Sequence, residues 1–218
     1  MSELAVWRGA GISVDAKRLL KVQGFSARRP ARPRLEKAAA EAADRAAGLA
    51  APQASAVRRR IEHCAAGELR LAQGTVFTCP VFEEVLHGCD EALLFVLTLG
   101  PALETEIAER YAASEPLEAY FLDAAGWLLV EQATRQLRGH FSQSLSTCGR
   151  ALTARLGPGY DYRDGATRTR WPLEQQHELF RAFGAVELPV RLLESSAMIP
   201  RLSRSGLFGI LSDRRAEH

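Results

Sequence analysis

The sequence predicts an α+β fold, with helices first and strands interspersed without the regular strand–helix–strand spacing of a parallel sheet. Apolar residues recur at helical spacing from Val14 to Val22 before Gly24 ends the segment. Residues 92–99 form a short apolar run closed by a Gly-Pro pair, which is typical of a buried strand that leads into a helix. With 47% apolar and 25% charged residues in 218, the chain has the composition of a soluble globular protein.

The first 65 residues are predicted to be helical and to belong to the same unit as the rest of the chain. A second helix covers about 35–49, because this segment is rich in Ala and Glu. Residues 26–34, which precede it, are rich in Arg and Pro and predict a turn-rich basic connector. The N-terminal helical region therefore spans 1–65, and the core of the fold spans 66–218.

The core region is predicted to alternate irregularly between strands and helices. Apolar periodicity, turn residues and the Ser-rich stretch that ends the longest helix set the boundaries. The predicted elements are, in order, a hairpin at 67–77, a strand at 92–99, a helix carrying Leu103, Ile107 and Tyr111, a helix at about 116–137, a strand at 151–156, a loop through 170, a helix at 173–183, and strands at 188–194 and 207–211.

Charge and hydropathy exclude several classes of protein. The chain has 28 basic and 26 acidic residues, and a net charge of +2 is too small for a field that would gather nucleic acid. Runs without a polar residue, such as 92–97, are far shorter than the roughly 20 residues of a membrane helix. No export signal is recognisable at the start. We therefore expect a cytoplasmic protein without nucleic-acid or membrane partners.

Cysteines and histidines give no sign of a metal site, and no catalytic motif is recognisable. The four cysteines have neither a Cys-x-x-Cys pair nor a His at zinc spacing, so we expect reduced, buried thiols. No phosphate-binding loop or Gly-x-Ser-x-Gly turn occurs, and we assign neither catalytic residues nor metal ligands. The cysteines are Cys64, Cys79, Cys89 and Cys148.

Two segments carry candidate binding chemistry. In the turn from Arg155 to Tyr160, Gly157 and Gly159 allow the backbone to approach a ligand closely. The guanidinium of Arg155 can pair with a carboxylate, and Tyr160 offers an aromatic face and a hydroxyl. The second segment, 193–206, brings several hydroxyls and a glycine to one loop. Taken alone, each segment is also compatible with a structural turn.

Together, these segments resemble the activation domain of cobalamin-dependent methionine synthase and its stand-alone relatives. That family carries an Arg-x-x-Pro-Gly-Tyr turn, an amphipathic helix, and a Leu-Thr-Glu-Ser-x-Ala-Met-x-Pro stretch that ends in Ser-Val-Ser-Gly. The resemblance extends over about 92–210 and includes the helix around Glu131. The matching positions are Arg155, Pro158, Gly159, Tyr160, Leu193, Glu194, Ser195, Ala197, Met198, Pro200, Ser203, Ser205 and Gly206.

The resemblance implies that S-adenosylmethionine (AdoMet) binds in a groove of a C-shaped α+β domain. Glu131 and Arg155 match the residues that hold the methionyl part of the ligand in the family. A carboxylate for the ligand's ammonium and a guanidinium for its carboxylate suit such a zwitterion. Gly157 matches a residue that contacts the ligand through its backbone, and Tyr160 matches the tyrosine between the ligand and the corrin ring.

The resemblance also implies a corrinoid partner. Tyr160, Ser203, Ser205 and Gly206 are the residues expected to face the corrin ring of cobalamin. No Asp-x-His-x-x-Gly cobalamin motif is present, so a partner protein, methionine synthase or a related corrinoid protein, is expected to carry the cobalamin. The implied function is support of reductive remethylation of that partner, with a flavodoxin-like or ferredoxin-like protein as electron donor.

Departures from the family pattern leave other functions open. Trp127 replaces an acidic residue, and residues 161–168 replace the family's Pro-Ala-Cys-Pro segment after the tyrosine. These changes are compatible with a non-catalytic scaffold of the same fold, or with a reactivator of another corrinoid methyltransferase. A third alternative is an Arg-rich nucleic-acid module at 28–34 and 58–60, which steep salt dependence of binding would reveal.

Overall fold

A seven-stranded antiparallel sheet lies at the centre of the structure, a computed structural model that describes residues 4–164 and 167–211. Its path has the order β4-β3-β2-β5-β11-β6, β1 pairs with β2, and β7–β8 and β9–β10 form two small separate sheets. The strands are β1 (Leu4–Arg8), β2 (Gln53–Ala65), β3 (Glu68–Leu71), β4 (Thr75–Thr78), β5 (Cys89–Thr98), β6 (Ala151–Leu156), β7 (Asp161–Asp164), β8 (Thr167–Arg170), β9 (Arg191–Leu192), β10 (Met198–Ile199) and β11 (Ser203–Leu211).

Six α-helices pack around this sheet in the described part of the chain. The Asp15 side chain caps the first helix by accepting from the Lys17 N–H, and prolines begin the second and fifth helices, where a missing N–H costs nothing. The helices are α1 (Ala16–Val22), α2 (Pro33–Leu49), α3 (Val81–Val85), α4 (Ala102–Ala112), α5 (Pro116–Ser146) and α6 (Gln176–Arg181), with a 3₁₀ turn at Leu173–Gln175.

Strand β5 is buried on both faces because helical layers cover both sides of the sheet. Successive side chains of a strand point to opposite faces. Accordingly, Phe95 and Leu97 pack against residues of α2, α4 and α5, whereas Leu94 and Val96 pack toward α3, α6 and the fully buried Trp171. The two apolar clusters therefore fix the register of β5, and with it the position of β11 beside it.

The pairing of β11 with both β5 and β6 positions the predicted site. Arg204 lies opposite Leu97 of β5, and Phe208 lies opposite Arg155 of β6. Helix α5 covers this face of the sheet and brings Glu131 to the same place. Residues that lie between 53 and 107 positions apart in the chain thus become neighbours.

The α+β prediction is confirmed, but the helical prediction for the first 65 residues is wrong in two places. Helices α1 and α2 are present, yet 4–8 and 53–65 form β1 and β2. Strand β2 is rich in Ala and Arg and lacks strict alternation, so its strand character depends on pairing with β1 and β5. The boundary between 1–65 and 66–218 stays a prediction.

Three predictions for the second half need correction. The expected loop through 170 contains the β7–β8 hairpin, in which Arg168 and Arg170 bind the Asp161 carboxylate at 2.6 and 2.7 Å. The hydrogen bonds from Arg170 and Arg168 lower the pKa of Asp161 to about 2. The strand expected at 188–194 is reduced to β9, and β11 begins four residues earlier than predicted.

The four cysteines are free thiols, but they are not all buried as predicted. Cys79 is buried, Cys64 and Cys89 are partly buried, and Cys148 is exposed at the end of α5. Across 4–164 and 167–211, no group of three or more His, Cys, Asp or Glu residues is placed to hold a metal ion. In the same ranges, no helix has the length and apolarity needed to cross a membrane.

Close packing of α5 on the sheet gives a first prediction. A Cβ at Gly126 would lie 2.6 Å from the Leu202 Cδ1, whereas a Cβ at Gly139 of the same helix would meet nothing within 4 Å. Gly126→Val should therefore lower the free energy of unfolding by about 1–3 kcal/mol. Gly139→Val should change it little, because valine is a somewhat better helix former than glycine. Urea unfolding would measure both, and equal effects would contradict this packing.

Candidate functional site

A groove of about 260 Å³ opens where the turn after β6, helix α5 and the segment before β11 meet. Trp127 of α5, Tyr160 of the turn, and Ser203, Arg204 and Ser205 of β11 all contribute to its wall. The groove therefore brings together three of the residues singled out from the sequence, Tyr160, Ser203 and Ser205. Its volume is slightly below the usual range of ligand pockets, about 300–1,000 Å³.

Arg155 and Tyr160 form a stacked pair beside this groove. The guanidinium carbon of Arg155 lies 4.3 Å from the centre of the Tyr160 ring, within the range of a cation–π contact. The Tyr160 side chain is 39% exposed, so it lies at the mouth of the turn and not in the core. The Nη1 of Arg155 is buried without a hydrogen-bond partner. A buried donor without an acceptor is costly, and a ligand carboxylate would supply the acceptor.

Gly157 leaves room for this pair because it lacks a side chain. A Cβ at Gly157 would lie 2.7 Å from the Arg155 Nη1 and 3.1 Å from the Ser205 carbonyl oxygen. The backbone of Gly157 is already hydrogen-bonded: its N–H donates to the Tyr162 hydroxyl at 2.6 Å, and that hydroxyl donates to its carbonyl at 3.0 Å. Burial raises the pKa of Tyr162, which keeps the donating proton in place. The ligand contact expected at Gly157 stays a prediction.

Glu131 is bound by Arg204, a residue that the sequence analysis did not single out. The Arg204 Nη1 lies 2.5 Å from the Glu131 Oε2, and the Arg204 side chain is only 9% exposed while that of Glu131 is 43% exposed. The Arg204 Nε is buried without a hydrogen-bond partner. A signal was present in the sequence: where the resembled family reads Ser-Val-Ser-Gly, this chain has an arginine in place of the valine.

Nearby arginines keep Glu131 ionised. Burial by itself raises the pKa of Glu131, but the hydrogen bond and charge of Arg204 outweigh this effect. The charges of Arg155 and Arg135 act in the same direction, so the pKa of Glu131 lies below its ordinary value. Glu131 and Arg155, the two residues predicted to hold the zwitterion, are thus electrostatically coupled in the structure.

The predicted corrin-facing residues of β11 are buried and hydrogen-bonded within the protein. The Ser203 hydroxyl donates to the Pro200 carbonyl at 2.6 Å, and the Ser205 hydroxyl donates to the Gln176 side-chain oxygen at 2.9 Å. Gly206 is buried and does not line the groove, and a Cβ at this position would collide with the Leu156 carbonyl oxygen of β6. The two serines form the groove wall and Gly206 allows close strand pairing, while their contact with a corrin ring stays a prediction.

Gln176 is a further residue that the sequence analysis missed. It is almost fully buried at the start of α6, and its side-chain nitrogen donates to the Ser196 carbonyl at 2.8 Å while its oxygen accepts from Ser205. One side chain therefore ties the loop at 193–197 to β11. A glutamine in a polar stretch gives no local signal of this role.

The fold is similar to that of a known domain. A solved structure of the MetH reactivation domain bound to AdoHcy superposes with a TM-score of 0.66, and the match covers 99% of this chain and 80% of that chain. Sequence identity over the match is 13%, so the likeness shows a shared fold. No protein-family model matches the chain, and no curated protein matches it in sequence. The fold expected from the sequence resemblance is thereby confirmed.

The Glu131–Arg204 pair gives a second prediction. Glu131→Gln leaves the buried Arg204 charge without its partner, which should cost about 1–2 kcal/mol of stability after allowance for the exposure of Glu131. Glu178→Gln removes the exposed pair with Arg181 and should cost less than about 0.5 kcal/mol.

The dependence on pH follows from the lowered pKa of Glu131. The Glu131–Arg204 pair stabilises the fold fully when the pH is above about 4.3, the pKa of a glutamate in the unfolded chain. This stabilisation is lost as the pH falls through the lower pKa that Glu131 has in the folded protein. Thermal unfolding of the wild type and both variants from pH 7 down to pH 3 would show this. The difference in melting temperature between the wild type and Glu131→Gln should disappear at the acidic end. A gap that widens on acidification would contradict it.

Proposed function

We propose that this protein binds AdoMet in the groove and supports reductive remethylation of a cobalamin-dependent methyltransferase, most simply of the methionine synthase type, in the cytoplasm. The observation that carries the proposal is the Arg155–Tyr160 pair, in which a buried guanidinium N–H without a partner lies beside an exposed ring. The likeness in fold to a reactivation domain that was solved with AdoHcy supports the same ligand class.

The charges around the groove suit the methionyl part of AdoMet. Arg155 would bind the α-carboxylate, and Glu131 would accept from the α-ammonium. A carboxylate has lone pairs for about four hydrogen bonds, so Glu131 can bind an ammonium while it remains paired with Arg204. Because a sulfonium methyl needs no proton in order to leave, the residues here position the ligand and exclude water, and no general acid or base is required.

The rim of the groove fits a flat corrinoid partner. Trp127, Tyr160 and Leu173 are large apolar residues that stay exposed around the opening. Such an exposed apolar rim is typical of an interaction surface. Cobalamin carried by the partner protein would supply the metal centre for methyl transfer. A flavodoxin-like or ferredoxin-like protein is the proposed electron donor, and this chain's own role is to present the ligand to the partner.

A second candidate function is a non-catalytic scaffold with the same fold. The internal contacts of two predicted ligand residues favour it, because Arg204 already pairs with Glu131 and the Tyr162 hydroxyl already binds the backbone of Gly157. A scaffold would need these contacts and no ligand. Calorimetric titration of the purified protein with AdoMet separates the two functions, since a scaffold gives no binding heat.

Arg155→Ala tests the proposed carboxylate contact. Loss of a charged hydrogen bond to a desolvated carboxylate should weaken AdoMet binding at least about thirtyfold, or about 2 kcal/mol. Arg181→Ala is a matched control, because Arg181 lies on α6 in an exposed ion pair with Glu178. Calorimetry on both variants would measure the effect, and wild-type affinity in Arg155→Ala would remove Arg155 from the binding site.

Tyr160→Ala tests the partner-facing role of the exposed ring. The variant should keep its melting temperature within a few degrees, because Tyr160 is not part of either apolar cluster. Remethylation of a stalled corrinoid methyltransferase by AdoMet should then fall at least about tenfold, a barrier change of about 1.4 kcal/mol. The opposite result, a large drop in melting temperature with unchanged activity per folded molecule, would make Tyr160 a packing residue.

A further inference from the structure

The positive charge of this protein is concentrated in one short segment. Residues 15–37 contain eight basic and two acidic residues, whereas the rest of the chain contains 20 basic and 24 acidic residues. A net charge of +6 in this segment therefore stands against −4 elsewhere, although the whole chain has only +2. All eight basic side chains are exposed, and together they form what we call the basic surface: Lys17, Arg18, Lys21, Arg28, Arg29, Arg32, Arg34 and Lys37.

The protein's own carboxylates do little to compensate the basic surface. Within 4–164 and 167–211, Lys37 is the only member in an ion pair, at 3.7 Å from the exposed Glu41. Arg29 contacts an aromatic ring instead, with its guanidinium carbon 6.0 Å from the centre of Phe25. Arginines in other parts of the fold are bound to carboxylates at 2.5 or 2.6 Å, among them Arg45, Arg150 and Arg201. Exposed like charges without internal partners favour an acidic binding partner.

Two members of the basic surface line an apolar groove, which we call the N-terminal groove. It has a volume of about 420 Å³ and lies between α1 and residues 25–31. Lys17 and Lys21, one turn apart on α1, contribute to its wall, and Glu36 is its one acidic lining residue. The remaining lining residues are mostly apolar: Leu20, Phe25, Ser26, Ala27, Pro30 and Ala31. A concave apolar surface beside two cations suits a ligand that is both apolar and acidic.

We propose that the N-terminal groove and the basic surface dock an acidic segment of a partner protein, one that carries apolar side chains between its carboxylates. The apolar side chains would fill the groove, and the carboxylates would pair with Lys17 and Lys21 at its wall. The rest of the basic surface would attract the acidic partner and speed its association.

Other polyanions fit this surface less well. Nucleic acid would need aromatic faces for base stacking, but Phe25 is the only aromatic residue in 15–37, and it is partly buried and contacted by Arg29. A membrane surface would need apolar side chains that project outward. Here Leu19 of α1 is turned into the core, and the apolar groups of Leu20 and Phe25 line a concave groove.

A labelled synthetic peptide tests the proposal by fluorescence anisotropy. The peptide, about 14 residues long, has leucines at helical i, i+3, i+4 spacing and glutamates elsewhere. The wild type should bind it at least about tenfold more tightly than a peptide with serines in place of the leucines, because only the leucines can fill the groove. Equal binding of the two peptides, or no binding of either, would overturn the proposal.

Paired charge reversals locate the binding on the surface of the protein. Lys17→Glu with Lys21→Glu should weaken binding of the leucine peptide at least about thirtyfold. Arg58→Glu with Arg191→Glu is the matched control, since it changes the net charge equally at two exposed arginines outside 15–37, and it should weaken binding less than about threefold. Equal weakening by the two double variants would show attraction to net charge alone and would overturn the proposal.

A groove variant tests the apolar part separately. Phe25→Ala should weaken binding of the leucine peptide about tenfold and leave binding of the serine peptide unchanged. An equal loss for both peptides would contradict the predicted contact with Phe25 and overturn the proposal.

Two further probes decide the class of partner. An oligouridine and vesicles of equal parts phosphatidylserine and phosphatidylcholine present anionic groups without a peptide. Tighter binding of either probe than of the leucine peptide would overturn the proposal in favour of an RNA or a membrane partner. These outcomes are independent of the proposed AdoMet binding, because the N-terminal groove shares no lining residue with the groove that contains Tyr160.

Discussion

The antiparallel pairing of β11 between β5 and β6 is the constraint on which the rest of the structure depends. Strand β5 is fixed by apolar clusters on both of its faces, and β11 inherits that register over nearly its whole length. Gly206 permits the close approach of β11 to β6, and Gly126 permits the close approach of α5 to Leu202. The groove exists because these three segments, far apart in the chain, are held at contact distance.

Burial of arginine gives the site its character. Placing Arg204 inside the fold requires a carboxylate partner, because an unpaired buried charge costs several kcal/mol. Glu131 meets that requirement and is also the residue proposed to bind a ligand ammonium. The same carboxylate therefore has a structural role and a proposed binding role. Arg155, whose buried Nη1 has no acceptor, has no such divided role.

Local sequence patterns were sufficient to predict those elements whose stabilising contacts are close in sequence. The helix after Asp15, the hairpin of β3 and β4, the apolar run of β5 and the start of α5 agree with their predictions, but α5 continues to Ser146 and does not end near 137. Strands β1 and β2 were missed because partner strands decide their conformation, and the Ala- and Arg-rich sequence of β2 carries no alternation that would reveal it. The β7–β8 hairpin pairs through its backbone and brings Arg168 and Arg170 to Asp161, an arrangement that the spacing of polar residues does not disclose.

The sequence by itself determined the α+β class, the turn that carries Arg155 and Tyr160, and the resemblance that directed attention to Glu131. These features depend on residue types at short spacing, which the chain displays directly. Only the tertiary structure decided that Arg204 forms an ion pair with Glu131, that Tyr162 binds the backbone of Gly157, and that the serines of β11 are buried and internally hydrogen-bonded. The physical reason is that electrostatic pairing and burial depend on distances in space, and strand pairing sets those distances between segments that are remote in the sequence.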